Sequence, residues 1–185
     1  LKQYGVSLMT CRWIESFLSE RKQRVHIHGN YSKWHKVTSG IPQGSVLGPI
    51  LFVIFINDLP ECVKSEVFLF ADDTKLFSDI RTENDVETLQ HDLNNLFDWS
   101  TEWMLRFHPD KCKVLKVHNK WKEKDNYRYI MKKYDGTTTT LESVESEKDI
   151  GVNIDSHLCF DKHIKTQINK ANSWHYPTNI LLTRL

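Results

Sequence analysis

Apolar positions recur along this chain with two periods. Over residues 6–19, Leu8, Cys11, Trp13, Ile14, Phe17 and Leu18 fall mostly three and four apart, which predicts an amphipathic helix ending near Ser19-Glu20. Arg24-Val25-His26-Ile27-His28 then alternates, Gly29-Asn30 turns, and Trp34-His35-Lys36-Val37 returns. That is the pattern of a β-hairpin with a basic face. Residues 46–56 are apolar all round and too few to span a bilayer, so a buried helix is expected there. It is entered through Gly40 to Ser45 and ended by Asn57-Asp58-Leu59-Pro60.

Val67-Phe68-Leu69-Phe70 and Lys75-Leu76-Phe77 read as short strands. Thr82 opens the clearest helix, with Thr82 and Asp85 resembling a capping box. Val86, Leu89, Leu93, Leu96, Phe97 and Trp103 form its apolar stripe, and Glu83, Asp85, Glu87, Asp92 and Asp98 are expected on the solvated side. Lys113 to Val117 alternates as a strand, 119–126 reads as a polar loop, and Tyr127 to Tyr134 as a strand before a turn at Asp135-Gly136. Ile150-Gly151-Val152-Asn153-Ile154 reads as a short strand and 160–172 as a basic helix with Ile164 and Ile168 on one face. This order predicts an α+β fold with an antiparallel sheet packed on helices.

At 185 residues, with 39% hydrophobic and 11% aromatic content, the chain can bury a core and is globular rather than disordered. Its net charge of +1 conceals a strong asymmetry. Residues 1–60 carry seven Lys/Arg against three Asp/Glu, residues 61–110 four against twelve, and residues 111–185 fourteen against nine. An acidic middle between basic ends fits a cation site flanked by surfaces that meet a polyanion, and the solvated face of one helix accounts for part of the same acidity. Cys11, Cys62, Cys112 and Cys159 have neither zinc-knuckle spacing nor a disulfide framework, which points to a reducing, intracellular setting. Cys159 is read as a small core residue and His163 as a surface one. The chain starts at Leu1 inside a helical pattern and shows no secretory signal, so a fragment of a non-secreted protein is expected.

Asp72 and Asp73 stand between the two strands of 67–77. A tight turn explains them; so does a hairpin tip that aims two oxygen ligands at a divalent metal. Gly40, Pro42, Gln43 and Gly44 form a loop that serves either as close backbone approach to a ligand or as an unusual backbone path into the next helix.

The ordered set Gly40-Ile41-Pro42-Gln43-Gly44-Ser45, apolar helix, Asn57-Asp58-Leu59-Pro60 and Phe70-Ala71-Asp72-Asp73 resembles the reverse transcriptase of non-LTR (LINE-type, jockey-like) retrotransposons. Arg21, Gln23, Arg24 and Val25 match the segment before the glycine loop; Trp103, Leu105, Phe107, Lys111 and Cys112 match the stretch after the acidic helix; Asp149-Ile150-Gly151-Val152, with Phe160, His163 and Ile164, matches the approach to the thumb.

The resemblance implies a polymerase palm that lacks its first catalytic strand. Residues 1–118 would be partial palm with a finger-side hairpin at 22–38, residues 119–159 the end of the palm with the primer-contacting hairpin, and residues 160–185 the start of a truncated thumb. It implies two-metal nucleotidyl transfer with Mg2+ or Mn2+, Asp72 as a direct ligand and Asp73 in support. Gly40, Pro42, Gln43, Gly44, Phe70 and Ala71 would meet template and incoming nucleotide, and Ile150, Gly151 and Val152 the primer. Lys111 would lie near the leaving pyrophosphate, although a plain surface lysine in a basic stretch fits it as well. Arg21, Lys22 and Arg24 would meet phosphates. Trp103 and Phe107 are read as core.

The implied partners are an RNA template, a DNA primer and deoxynucleoside triphosphates, in nucleus or cytoplasm and away from membranes. The family's first metal-binding aspartate has no counterpart, since no Asp precedes Asp58 and the earlier acids are Glu15 and Glu20. Trp174-His175-Tyr176-Pro177 departs from the family's pattern, and Pro177 is expected to break the last helix. The chain is therefore expected to be inactive alone. A non-catalytic remnant that binds RNA or a protein is the alternative.

Overall fold

The computed structural model of the chain describes residues 1–118 and 127–173. The loop expected over 119–126 and the break expected at Pro177 lie outside them. The chain divides into two compact units, one of residues 1–58 and 69–73, the other of residues 59–68 and 74–185.

In the first unit, Ser7 caps helix α1 (Leu8–Leu18), its hydroxyl accepting from the Thr10 N–H at 3.2 Å. Strands β1 (Lys22–Gln23) and β4 (His35–Lys36) pair antiparallel, as do β2 (His26–Ile27) and β3 (Asn30–Tyr31) inside them. Together they make one hairpin whose tip, His28-Gly29, has φ of 47° and 81°. Two positive φ values are what a two-residue turn needs to match strand twist, and Gly29 adopts its value without steric cost. Helix α2 (Leu47–Ile56) follows. Uniform burial, expected from its composition, does not hold: only Gly48 and Ile56 are buried, while Val46 is 85% and Val53 58% exposed. Apolar composition gives the demand for cover, and among the described residues nothing supplies it along that face.

The second unit carries the larger core. Helix α3 (Glu83–Glu102) is capped by the expected box, in which the Thr82 hydroxyl accepts from the Asp85 N–H and the Asp85 carboxylate accepts from the Thr82 N–H. Its stripe of Val86, Leu89 and Leu93 packs on Tyr129, Met131 and Leu141, with Phe107, Cys112 and Val114 beside them. Strand β7 (Lys113–Leu115) pairs in parallel with β10 (Glu142–Val144); it stops at Leu115 rather than Val117. Strands β8 (Ile130–Lys132) and β9 (Thr138–Thr140) form a hairpin across the expected turn. Strands β11 (Ser146–Asp149) and β12 (Val152–Asp155) form another, followed by helix α4 (Asp161–Ser173).

The sheet is not the single antiparallel one expected. The described strands make six two-stranded ladders, five of them antiparallel hairpin pairings and one the parallel β7–β10 pair.

Five further readings are corrected. Ile150-Gly151 is not strand but the turn of the β11–β12 hairpin, with φ of 43° and 87°. Asp92 is fully buried, not solvated. Trp103 is 41% exposed rather than core, whereas Phe107 packs on the core as read. Cys159 is exposed, because it lies in the turn that the Asp155 carboxylate organises by accepting the N–H groups of His157, Cys159 and Phe160; His163 is half-buried and accepts the Asn153 N–H at 3.3 Å.

Candidate functional site

The glycine loop is held at both ends by side chains. The Arg21 guanidinium donates to the Leu18 carbonyl at 2.9 Å, to Ser39 O at 3.3 Å and to Gly40 O. At the far end the Ser45 hydroxyl donates to Pro42 O at 2.7 Å and accepts the Gly48 N–H at 3.1 Å, satisfying one of the orphan donors at the start of α2. A Cβ on Gly48 would come within 3.0 Å of Ile41 Cδ1 and of Ser45 Oγ, so glycine is what lets helix and loop approach. Between these anchors Gly40 and Gly44 take φ of 72° and 79° with open space around them, and Gln43 is exposed. The loop is fixed at its feet and open at its apex.

Strands β5 (Glu66–Phe70) and β6 (Asp73–Phe77) pair as the expected hairpin, joined by Ala71 and Asp72. Ala71 has φ of 51°, a left-handed conformation that costs a residue with a Cβ about 1–2 kcal/mol. Phe70, Ala71, Asp72 and Asp73 are all exposed. Among the described residues no lysine, arginine or N–H group holds either carboxylate. Their stretch of chain, residues 69–73, belongs to the same compact unit as the glycine loop and α2.

Carboxylates without a partner among the described residues fit the hard-oxygen preference of magnesium. Yet no group of three or more His, Cys, Asp or Glu among the described residues is arranged to hold a metal ion. The pair by itself falls short of such a group.

In the other unit, Lys75 is ion-paired with Asp149, the residue before the Ile150-Gly151 turn. The turn that carries the candidate primer-contacting residues is thus tied to strand β6; Ile150 is exposed and Val152 half-buried. Lys111 ends a short 3-10 helix, Pro109–Lys111, with its side chain exposed and without a polar partner among the described residues. Beside it, burial pushes the Cys112 thiol up, away from the thiolate form. The Lys113–Glu147 pair at 2.9 Å raises the lysine and lowers the glutamate, each chiefly through their mutual hydrogen bond.

Of the three residues expected at phosphates, Arg21 is committed to carbonyls. Arg24 is committed to aromatic rings, its Cζ 3.9 Å from the Tyr31 centroid and 4.5 Å from that of Trp34. Lys22 is exposed.

Two acids stand in surroundings that the sequence reading did not anticipate. The Asp92 carboxylate accepts the Lys64 N–H at 3.0 Å and the Ser65 N–H at 2.8 Å, fixing the chain as it enters β5. Burial alone would raise it; the donors from Ser65 and Lys64 prevail and hold it below the ordinary carboxylate range. Asp58, half-buried after α2, has one carboxylate oxygen without a hydrogen-bond partner.

Among the described residues no helix is long and apolar enough to cross a membrane. Residues 3–139 match the family model "Reverse transcriptase (RNA-dependent DNA polymerase)". The chain is 28% identical over 177 residues to a probable RNA-directed DNA polymerase from transposon X-element of Drosophila melanogaster, covering 88% of this chain and 18% of that protein. It is 28% identical over 167 residues to the RNA-directed DNA polymerase from mobile element jockey of the same species, covering 85% of this chain and 17% of that protein. A third relative, a probable RNA-directed DNA polymerase from transposon BS of D. melanogaster, is 28% identical over 171 residues, covering 85% of this chain and 18% of that protein. The chain thus spans 17% to 18% of the length of these three relatives. No solved structure matches it.

Proposed function

The chain belongs to the reverse transcriptase (RNA-dependent DNA polymerase) family, in its non-LTR, jockey-like group, and from that premise we propose that it supplies part of a nucleotidyl-transfer site for RNA-directed DNA synthesis. The observation that carries this reading is the exposed Asp72-Asp73 pair, held on a strained hairpin tip with no cation or N–H group of the described residues on either carboxylate. Ion-paired or capping aspartates would serve structure; these two serve none among the described residues.

In this reading Asp72 is a direct ligand and Asp73 supports it. Divalent cations bound there would activate a primer hydroxyl and neutralise charge on the leaving pyrophosphate. Gly40, Pro42, Gln43 and Gly44 present an open backbone apex to template and nucleotide, and Phe70 and Ala71 flank it. Lys111 is free to offer its ammonium to the pyrophosphate, and Ile150, Gly151 and Val152 meet the primer strand. Residues 1–118 then act as partial palm, 119–159 as its end and 160–185 as the start of the thumb.

Two carboxylates do not complete a two-metal site, so the 185-residue chain, tested as it stands, is expected to be inactive. With a primed RNA template, deoxynucleotides and Mg2+ or Mn2+, incorporation should not exceed that of an Asp72→Ala control. Incorporation well above the control would overturn this. Millimolar Mg2+ or Mn2+ should still raise the melting temperature of the parent and not that of an Asp72→Asn, Asp73→Asn double variant. An equal response in both would favour a non-catalytic, nucleic-acid-binding remnant.

A further inference from the structure

Strands β8 and β9 make a two-stranded sheet, so each has a second edge. The parity of their ladder fixes which peptide groups face out. The Leu141 N–H donates to Tyr129 O at 2.8 Å and the Lys133 N–H to Thr137 O at 2.7 Å, one step beyond each end of the paired residues. Hydrogen-bonded and non-hydrogen-bonded partners alternate along an antiparallel pair, so Met131 and Thr139 bond across the ladder. The main-chain groups of Ile130, Thr138 and Thr140 therefore point outward.

The two outer edges differ. On β8 the Gln90 side chain stands in for a neighbouring strand: its Oε1 accepts the Ile130 N–H at 2.8 Å and its Nε2 donates to Ile130 O at 2.7 Å. On β9 the outward groups of Thr138 and Thr140 have no partner among the described residues, and both residues are exposed. Residues 137–141 read Thr-Thr-Thr-Thr-Leu, with neither the lysine nor the proline that closes an edge to other strands.

We propose that this edge pairs with the same edge of a second copy of the chain. Two β9 strands laid antiparallel about a two-fold axis at Thr139 bring Thr138 of each copy opposite Thr140 of the other. Both pairs face outward, so each exchanges two main-chain hydrogen bonds, and the register that the symmetry requires is one that the parity allows. The side chains match themselves as well. Opposed threonines are a favourable cross-strand pair, and the same register sets Asp135 against Ser143 and Glu142 against Gly136, so no like charges meet. Thr139 shares a face with its partner Met131, which is buried, so the joined four-stranded sheet keeps both cores on one side. An unrelated strand could take up the hydrogen bonds without this pairing of side chains, and that favours a second copy. Three residues a side make a small seam, so the dimer is weak and exchanges with monomer. The edge is separate from Asp72 and Asp73, and the inference stands whether or not the chain extends a primer.

The test is sedimentation equilibrium of the whole chain at low ionic strength, from micromolar to millimolar concentration. The parent should show a monomer–dimer equilibrium. Thr138→Lys combined with Thr140→Lys sets lysine against lysine across the seam and should abolish the dimer, as should Thr138→Glu combined with Thr140→Glu. An equimolar mixture of these two double variants should dimerise again, because each lysine then faces a glutamate. Thr140→Pro removes an outward donor that β8 does not use, so it should abolish the dimer and leave the circular dichroism spectrum unchanged. A parent that stays monomeric would overturn the proposal. So would a dimer that both double variants keep, or a mixture of folded double variants that stays monomeric. Should either double variant fail to fold, Thr140→Pro decides: loss of the dimer supports the pairing, and its survival sinks it.

Discussion

Ala71 and Asp92 show how single residues set the geometry around the candidate site. Ala71 accepts left-handed backbone where glycine would be at ease. Ala71→Gly removes about 1–2 kcal/mol of steric cost and restores roughly 0.5–1 kcal/mol of unfolded-chain freedom, so the variant should be level with the parent or up to about 1 kcal/mol more stable. A urea midpoint clearly below the parent's would mean that the tip does not need this conformation. Asp92 is the opposite case, a charge whose burial is necessary. Asp92→Asn keeps the shape but turns a donor toward one of two N–H groups, which should cost about 1–3 kcal/mol at pH 7. The sign with pH follows from its depressed folded value: the carboxylate's contribution is complete above the unfolded value near 3.9 and fades as pH falls through the lower, folded one. Urea midpoints of parent and variant should therefore differ at pH 7 and draw together as pH falls below the unfolded value. The sequence carried this signal in its angles rather than its charge, because Asp92 lies only about 40° around the helix from Leu96.

Elements whose signal is local were legible. The Thr82–Asp85 box was read directly and forms both of its bonds. Thr82→Ala should lower stability by about 1 kcal/mol, measurable as loss of α3 helicity at lower urea concentration. The hairpins around Gly29 and Asp72 were visible from strand–turn–strand spacing, but strands Thr138–Thr140 and Ser146–Asp149 were not read, and Ile150 was taken as strand because its side chain suits one; that a β-branched residue would accept φ of 43° in a turn is not written in its propensity. Helix α2 was located correctly and its environment was not. Composition states how much apolar surface a helix has, and the cover along Val46 and Val53 depends on other segments.

At the scale of the molecule, what stayed hidden was pairing at a distance. The β7–β10 ladder joins residues 113–115 to residues 142–144, and nothing in either run names the other. The same holds for the tie between Lys75 and Asp149, which joins β6 to the Ile150-Gly151 turn and which neither residue's own segment announces. The glycine loop and the hairpin tip at Asp72 were legible as local structure, because they are short, contiguous and ordered along the chain. Among the described residues no group of three or more His, Cys, Asp or Glu is arranged to hold a metal ion.

Arg21 binds carbonyls on both sides of the arm that it precedes, Leu18 before and Ser39 and Gly40 after, and Val37 N–H returns to its own carbonyl at 2.9 Å. The neck of that arm is thereby closed independently of whatever the arm contains. Those bonds run to the main-chain carbonyls of Leu18, Arg21, Ser39 and Gly40, so side-chain changes within residues 22–36 leave the footing of the glycine loop in place.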